Sequence, residues 1–368
     1  MPTLPITAPY DPMAQDVLGK THRQRVYARI TTGGTATTVE ISDGTVALSE
    51  DWSPHQRFSI SSPAVAELLA LADPRQPTRI EVLAGYIYPG GSGEDVQVLA
   101  TGHIRNGEND TPGDAHAMEC TSDELRTQDN RWMGTRQTKS FAGVVEAIAW
   151  MLDYACPTAQ TINTQLPDKY RPDLVSAVAL EPGQPLWDQL YAIALAAGLW
   201  IYVDSTGAWR LEPRPTAAGE AAALLREGPE SLVKKITHRQ DIDPYYTAAV
   251  LQYKWKDSGG VDREIFGKWA PPADSRGTGA GHKVFFAERA VQTDQYSADE
   301  AARLTVAQLS TRGDSYTIEA VAAYWIRPGH TVAIGAGDIR HIVKTVTFDL
   351  GAGSMTLATR EPSNLGEN

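Results

Sequence analysis

Cysteine is almost missing from this chain: Cys120 and Cys156 are the two in 368 residues. Two thiols cannot build a disulfide framework, and they lack the four-ligand spacing of a zinc site. They read as reduced, buried small hydrophobes of a chain folded in a cytoplasm. Basic charge is also scarce. Lys and Arg number 33 against 45 Asp and Glu, a net charge of −12, and no Lys/Arg-rich run stands out. That balance argues against a bulk surface that grips nucleic acid or anionic lipid. The longest apolar run, 190–203, falls short of the ~20 residues that a spanning helix needs. The opening MPTLPITAPYDP has neither a basic start nor an apolar stretch, so it is not a secretory signal.

Alternation supplies most of what is present. Val26, Ala28 and Ile30 alternate with Tyr27, Arg29 and Thr31, the period of a half-buried strand. Asp43-Gly44 between 37–42 and 45–49 predicts a hairpin turn there. Further strands are expected at 57–61, 78–88, 95–104 and 115–121, with a short helix capped by Ser62. Many short strands with turn signals suggest a barrel or a sandwich. From 138 the character changes. Ser140 is expected to cap a helix through Ile148 and Leu152, and 185–197 a second helix, followed by a hairpin 199–203/208–212 with its turn at 204–207. The Ala-rich stretch 217–226 reads as helical. Strands return at 247–256, 316–326, 331–334, 339–350 and 354–359. A helix opening at a Ser297/Glu300 capping box interrupts them.

The chemistry-bearing patterns each have a plainer reading. Gly19-Lys20-Thr21 imitates a phosphate loop, but position 14 is Ala14 and no core strand precedes it. Gly277, Gly279 and Gly281 neither follow a strand nor open a helix. His238, Asp241 and Asp243 have too few oxygen donors for a hard metal and read as a polar linker. Neither a His-Glu-x-x-His helix nor a Gly-x-Ser-x-Gly elbow occurs, and Cys156 with His341 is unanchored as a catalytic pair. No catalytic residue, cofactor or metal site is therefore assigned. Of the 9 Trp, Trp150, Trp187 and Trp200 sit in apolar patterns and are expected in the core. Trp52, Trp132 and Trp269 lie in or near polar loops and are the candidate interface residues, since interfaces are enriched in aromatics; sugar stacking is the rival use.

Two stretches carry a family likeness. The first is Gln184-Pro185-Leu186-Trp187-Asp188-Gln189-Leu190 with its helix to Gly198, then the hairpin from Leu199 through Asp204-Ser205-Thr206-Gly207 to Pro213. The second runs from Thr293 to Arg360 and includes Ile326-Arg327-Pro328-Gly329-His330. Together they resemble the baseplate-hub, or tail-tip hub, proteins of tailed bacteriophages, although His330 stands where family members often place Asp. The resemblance implies a mixed α+β, β-dominated fold: two tail-tube-like β-barrel domains with an inserted small α/β module. The expected division is an N-terminal arm 1–20, a first barrel 21–137, the module 138–235, a second barrel 236–362 with helix 297–312, and a tail 363–368. A single continuous sheet, or just one such barrel per chain, would overturn that design.

The implied function is structural and non-enzymatic: a homotrimer in the virion tail tip that adapts a six-fold tube to a three-fold tip and forms the DNA exit channel. The implied partners are a tail tube or distal tail protein, a tail fibre or spike, and the tape-measure protein. DNA would pass without specific binding, along an inner wall expected to be acidic. No membrane insertion by this chain is expected, and it would be made in the host cytoplasm. A tail-associated cell-wall hydrolase and a carbohydrate-binding β module are the alternatives.

Overall fold

The computed structural model describes Leu18 and residues 22–63, 66–88, 94–110, 115–156, 160–163, 178–228, 231–257, 259–271, 283–289 and 292–363. The turn expected at 89–93 and nearly all of the 1–20 arm and the 271–282 loop lie outside them. The N-terminal region contains β1 (Arg23–Thr32), β2 (Thr35–Glu40), β3 (Asp43–Ser49), β4 (Gln56–Pro63), α1 (Ala66–Leu71), β5 (Arg79–Ile87), β6 (Glu94–Asp110) and β7 (Ala115–Thr121). The middle contains α2 (Glu124–Asp129), β8 (Gln137–Lys139), α3 (Val144–Ala155), β9 (Gln160–Asn163), β10 (Val178–Leu180), α4 (Leu186–Ala196), β11 (Leu199–Val203) and β12 (Ala208–Pro213). The C-terminal region contains β13 (Ala221–Leu225), β14 (Val233–Gln240), β15 (Ala248–Lys256), β16 (Asp262–Trp269), β17 (Val284–Arg289), α5 (Gln295–Leu309), β18 (Asp314–Val321), β19 (Thr331–Ile334), β20 (Ile339–Asp349) and β21 (Ser354–Arg360). The fold is mixed and β-dominated.

Link lengths dictate how the main sheet bends. The N-terminal strands run β3-β4-β7-β6-β5-β1-β2. Laid flat, its two edges would stand about 29 Å apart at 4.8 Å per strand. Yet only residues 41 and 42 separate β2 from β3, and three chain steps reach about 11 Å. The sheet therefore curls until its edges approach. The Ser62 hydroxyl donates to Glu40 O (2.7 Å) and Ser42 N to Ser61 O (2.9 Å) where they meet. The C-terminal strands run β13-β19-β20-β21-β18-β14. Between β13 and β14 the Ser231 hydroxyl donates to Arg226 O.

The two β regions are not separate. β3 and β20 pair antiparallel from Ser49↔Thr345 to Thr45↔Asp349, which makes one continuous 13-stranded sheet. One apolar cluster runs through both, from Ile30, Val82 and Phe58 to Ile318, Val346 and Phe348. Tyr86 adds a second tie: its hydroxyl donates to Ala322 O (2.5 Å) and accepts from Tyr324 N (2.9 Å). Two barrels drawn one after the other along the chain would have lacked this shared ladder.

Two smaller layers complete the molecule. Helices α3 and α4 cover one face of the β11–β12–β9 sheet, burying Ile148, Leu190, Ile201 and Trp209. Helix α5 covers one face of the β16–β15–β17 sheet, with Ala298, Ala302 and Val306 against Leu251 and Tyr253. The opposite face of that sheet exposes Phe266, Val284 and Phe286.

Several local expectations are corrected. The hairpin joins β1 to β2 through Gly33-Gly34, whose φ values of +57° and +84° suit a tight turn, whereas Asp43-Gly44 opens β3 opposite Ser61 and Ile60. Residues 217–226 hold a strand, not a helix, because β13 pairs parallel to β19 and buries Ala223 and Leu225. Helix α5 is capped by Asp294, which accepts from Ser297 N at 2.8 Å, while Glu300 pairs with Arg303. Gly143, not Ser140, precedes α3, and Ser62 lies in β4 rather than capping a helix.

Candidate functional site

The site begins with a turn. Asp204 closes the β11–β12 hairpin on itself: Oδ1 accepts from Thr206 N (2.9 Å), the Thr206 hydroxyl (2.6 Å) and Ala208 N (3.0 Å), and Oδ2 from Arg210 Nε (2.6 Å). With its side chains satisfied internally, the turn presents its backbone to the N-terminal sheet. There, four consecutive carbonyls are captured. Gln56 Nε2 donates to Val203 O (2.8 Å) and Asp204 O (2.6 Å), Thr101 Oγ1 to Ser205 O (2.7 Å), and Arg79 Nη2 to Thr206 O (2.6 Å). Gln56 Oε1 accepts Thr101 N (3.1 Å), so both ends of the amide are used. Gly207 sits at φ +83°, and a Cβ there would meet Arg79 Nη2 at 2.6 Å. Its lack of a side chain permits both the turn and the contact.

Glu124, at the start of α2, fastens the same joint from behind. Its buried Oε1 accepts Val203 N (2.9 Å) and His55 N (3.2 Å). Burial pushes this carboxyl up to about 7 against the pull of those donors. Alternate residues of β11 serve different neighbours. Leu199, Ile201 and Val203 fill the α/β core, while Trp200 and Tyr202 pack on His55, with ring centroids 5.3 and 4.8 Å away. Burial holds His55 down to about 4, with its Nδ1 2.6 Å from Ser49 O. The C-terminal region joins through Arg327, Pro328 and His330, which line a cavity of about 50 Å³ together with His55, Gln56 and Arg210. Burial likewise lowers His330 to about 4. Such a cavity admits a few waters, well short of the ~300 Å³ of an ordinary ligand pocket.

Two neighbouring carboxylates extend the junction. Glu50 and Arg360 form a buried pair (2.6 and 3.0 Å), and Arg360 also donates to Pro215 O at 2.7 Å. One guanidinium thus ties the β3 end, the β21 end and the exit from β12. Asp51 accepts Arg214 (3.3 Å), Arg312 (3.0 Å) and Lys344 (3.1 Å), so that acid and bases together again span all three regions. Burial pushes the Asp51 carboxyl up, but Arg312, Lys344 and Arg214 outweigh it and hold it below its ordinary value.

The three Trp singled out in the sequence do not converge. Trp52 is 41% exposed, with Arg57 over its ring at 5.1 Å. Trp269 is half-buried against the α5 layer. Trp132 is 7% exposed, packed on Trp150 and Tyr154, with Nε1 donating to Thr135 O (2.9 Å). It packs in the α/β core of the chain. Trp187 and Trp200 are buried, Trp150 half-buried, and both cysteines are buried and outside any disulfide. His238 pairs with Asp314 (2.6 Å) and Asp241 accepts Asp243 N (2.9 Å), so each has a local partner. Among the described residues no three His, Cys, Asp or Glu gather closely enough for a metal, and no helix is long and apolar enough to cross a membrane. Gln56, Thr101, Arg79 and Glu124 were missed in the sequence because they recognise backbone, which leaves no residue pattern.

No family model and no curated sequence matches the chain. Solved structures do. A tail protein from Neisseria meningitidis MC58 superposes with a TM-score of 0.65 at 15% identity, over 92% of this chain and 96% of that one. The 43 kDa tail protein of prophage MuSo2 from Shewanella oneidensis superposes with a TM-score of 0.59 at 10% identity, over 91% and 98%. A chain of the lidless PdpA-VgrG complex gives 0.55 at 9% identity, over 94% of this chain and 66% of that one. The β-dominated fold of this chain is therefore shared, over more than nine-tenths of its length, with solved tail proteins and with a chain of a VgrG-containing complex.

Proposed function

We propose that the chain is a structural hub at the tip of a phage tail or a related injection particle, working as a homotrimer. The observation that carries this reading is the pair of β regions joined along β3–β20, in a fold shared nearly end to end with a tail protein and a prophage tail protein. Three copies would present six such regions to a six-fold tube and a three-fold face to a spike or fibre. On this reading each β region, near 21–137 and 236–362, is a tube-like barrel. The continuous sheet makes them barrels sharing a wall instead of independent ones. That sheet runs against the expected pair of separate barrels, so what carries the reading is the shared fold and not the barrel count.

The remaining assignments follow from the same reading. The tube or distal tail protein, the tape-measure protein and the fibre or spike are its partners. The virion tail tip is its place, and DNA passes an acidic inner wall that repels phosphate. The junction has no catalytic role: its polar groups hold backbone and one another. The hydrolase alternative lacks a pocket at the junction large enough for a sugar ring, and the carbohydrate-binding alternative loses Trp132 to the core. Native mass spectrometry tests the reading. The expected species has three times the 39.9 kDa chain mass and forms rings on isolated tail tubes; a stable monomer that ignores tubes overturns it.

A further inference from the structure

Asp51 and Trp52 mark a surface whose charge does not close. Arg214, Arg312 and Lys344 all reach the single Asp51 carboxylate, and no other carboxylate is paired with any of them among the described residues. Arg57 on β4 adds a fourth cation, held over the Trp52 ring. Glu50, the adjacent acid, is consumed by Arg360. Three cations therefore meet one anion, with a fourth on the adjacent Trp52, in a chain of net charge −12. The side chains are open to solvent: Arg312 and Asp51 are each 25% exposed and Lys344 32%. Arg312 Nε is buried with no acceptor. Beside them Trp52 offers an exposed aromatic face.

We propose that this patch receives a carboxylate-rich segment of another polypeptide. Asp51 shows the fit, since one carboxylate already satisfies three donors from two other regions of the chain at 3.0–3.3 Å. A second would find Arg312, Lys344 and Arg57 short of anionic partners. The recessed cations suit a side chain reaching inward better than a phosphate backbone running past, and Trp52 suits the apolar residues that flank acids in a peptide. The long-range repulsion of a −12 chain also weighs more heavily on a polyanionic duplex than on a short acidic stretch. The proposal does not depend on the hub reading.

The test uses the full chain and a labelled hexaglutamate peptide, followed by fluorescence anisotropy at low salt. The expected result is saturable binding that weakens about threefold to tenfold in Lys344→Gln and in Arg57→Gln. Binding strengthens by a similar factor in Asp51→Asn, which removes the competing carboxylate. Arg57 projects from an exposed strand position, so its variant keeps the fold; melting curves check the others. Absence of binding, or affinity unchanged across these variants, overturns the proposal. So does tighter binding of a DNA duplex or of inorganic phosphate that responds to the same substitutions. Oligomer mass measured on each variant separates failure here from failure of the trimer.

Discussion

Glu50 and Asp51 are neighbours in the chain and opposites in circumstance. Glu50 is sealed, with 0% of its side chain exposed, and matched by the single guanidinium of Arg360. Asp51 lies at the rim and is outnumbered by Arg214, Arg312 and Lys344. The sealed pair does mechanical work: it fixes where the ends of β3 and β21 and the exit from β12 sit. The open cluster leaves attraction to spare. Glu124 adds a third solution, a sealed carboxylate answered by backbone N–H groups without any cation.

Glu50→Ala should have the largest effect. Leaving Arg360 buried without its partner costs about 3–5 kcal/mol, read as a lowered denaturation midpoint. Replacing both as Glu50→Leu with Arg360→Met should return much of that loss; no recovery would mean that the bond from Arg360 to Pro215 O matters more than the pair.

The pH response should separate Glu124 from the histidines. Glu124, raised to about 7 from 4.5, keeps a proton in the folded state that the unfolded chain has lost, so its contribution falls as pH rises from 4.5 to 7. His55 and His330, lowered to about 4 from 6.5, act oppositely: the unfolded chain takes up protons first, and stability is lost as pH falls from 6.5 to 4. Glu124→Gln should therefore raise stability at pH 8 relative to the parent and steepen the acid loss, measured by urea denaturation across pH. A parent-like profile would show that Glu124 does not titrate in this window.

The smallest effect belongs to Trp52→Ala, which at the exposed rim should move stability by less than about 0.5 kcal/mol. A loss of several times that would place Trp52 among the structural residues and erase the contrast with Glu50.

What the sequence shows of this is uneven for physical reasons. The segment 185–213 is legible because helix period, continuous apolar strand and Asp-x-x-Gly turn fall in succession, each a local signal. Asp43-Gly44 and Gly33-Gly34 are equally good turn dipeptides. Which one closes a hairpin depends on β3 finding β4 and β20, and β20 lies some 300 residues away. Ala-rich 217–226 favours helix locally and is overruled by its pairing with β19. Trp132 has polar sequence neighbours, yet Trp150 and Tyr154 cover it from α3.

The β3–β20 ladder also bears on how the chain is made. β3 leaves the ribosome long before residues 339–349 exist, so one of its edges stays open to any passing strand through most of synthesis. Val46, Leu48 and the rest of that edge need shelter until residues 339–349 arrive, which makes truncated or slowly translated products of this chain the ones most prone to clump.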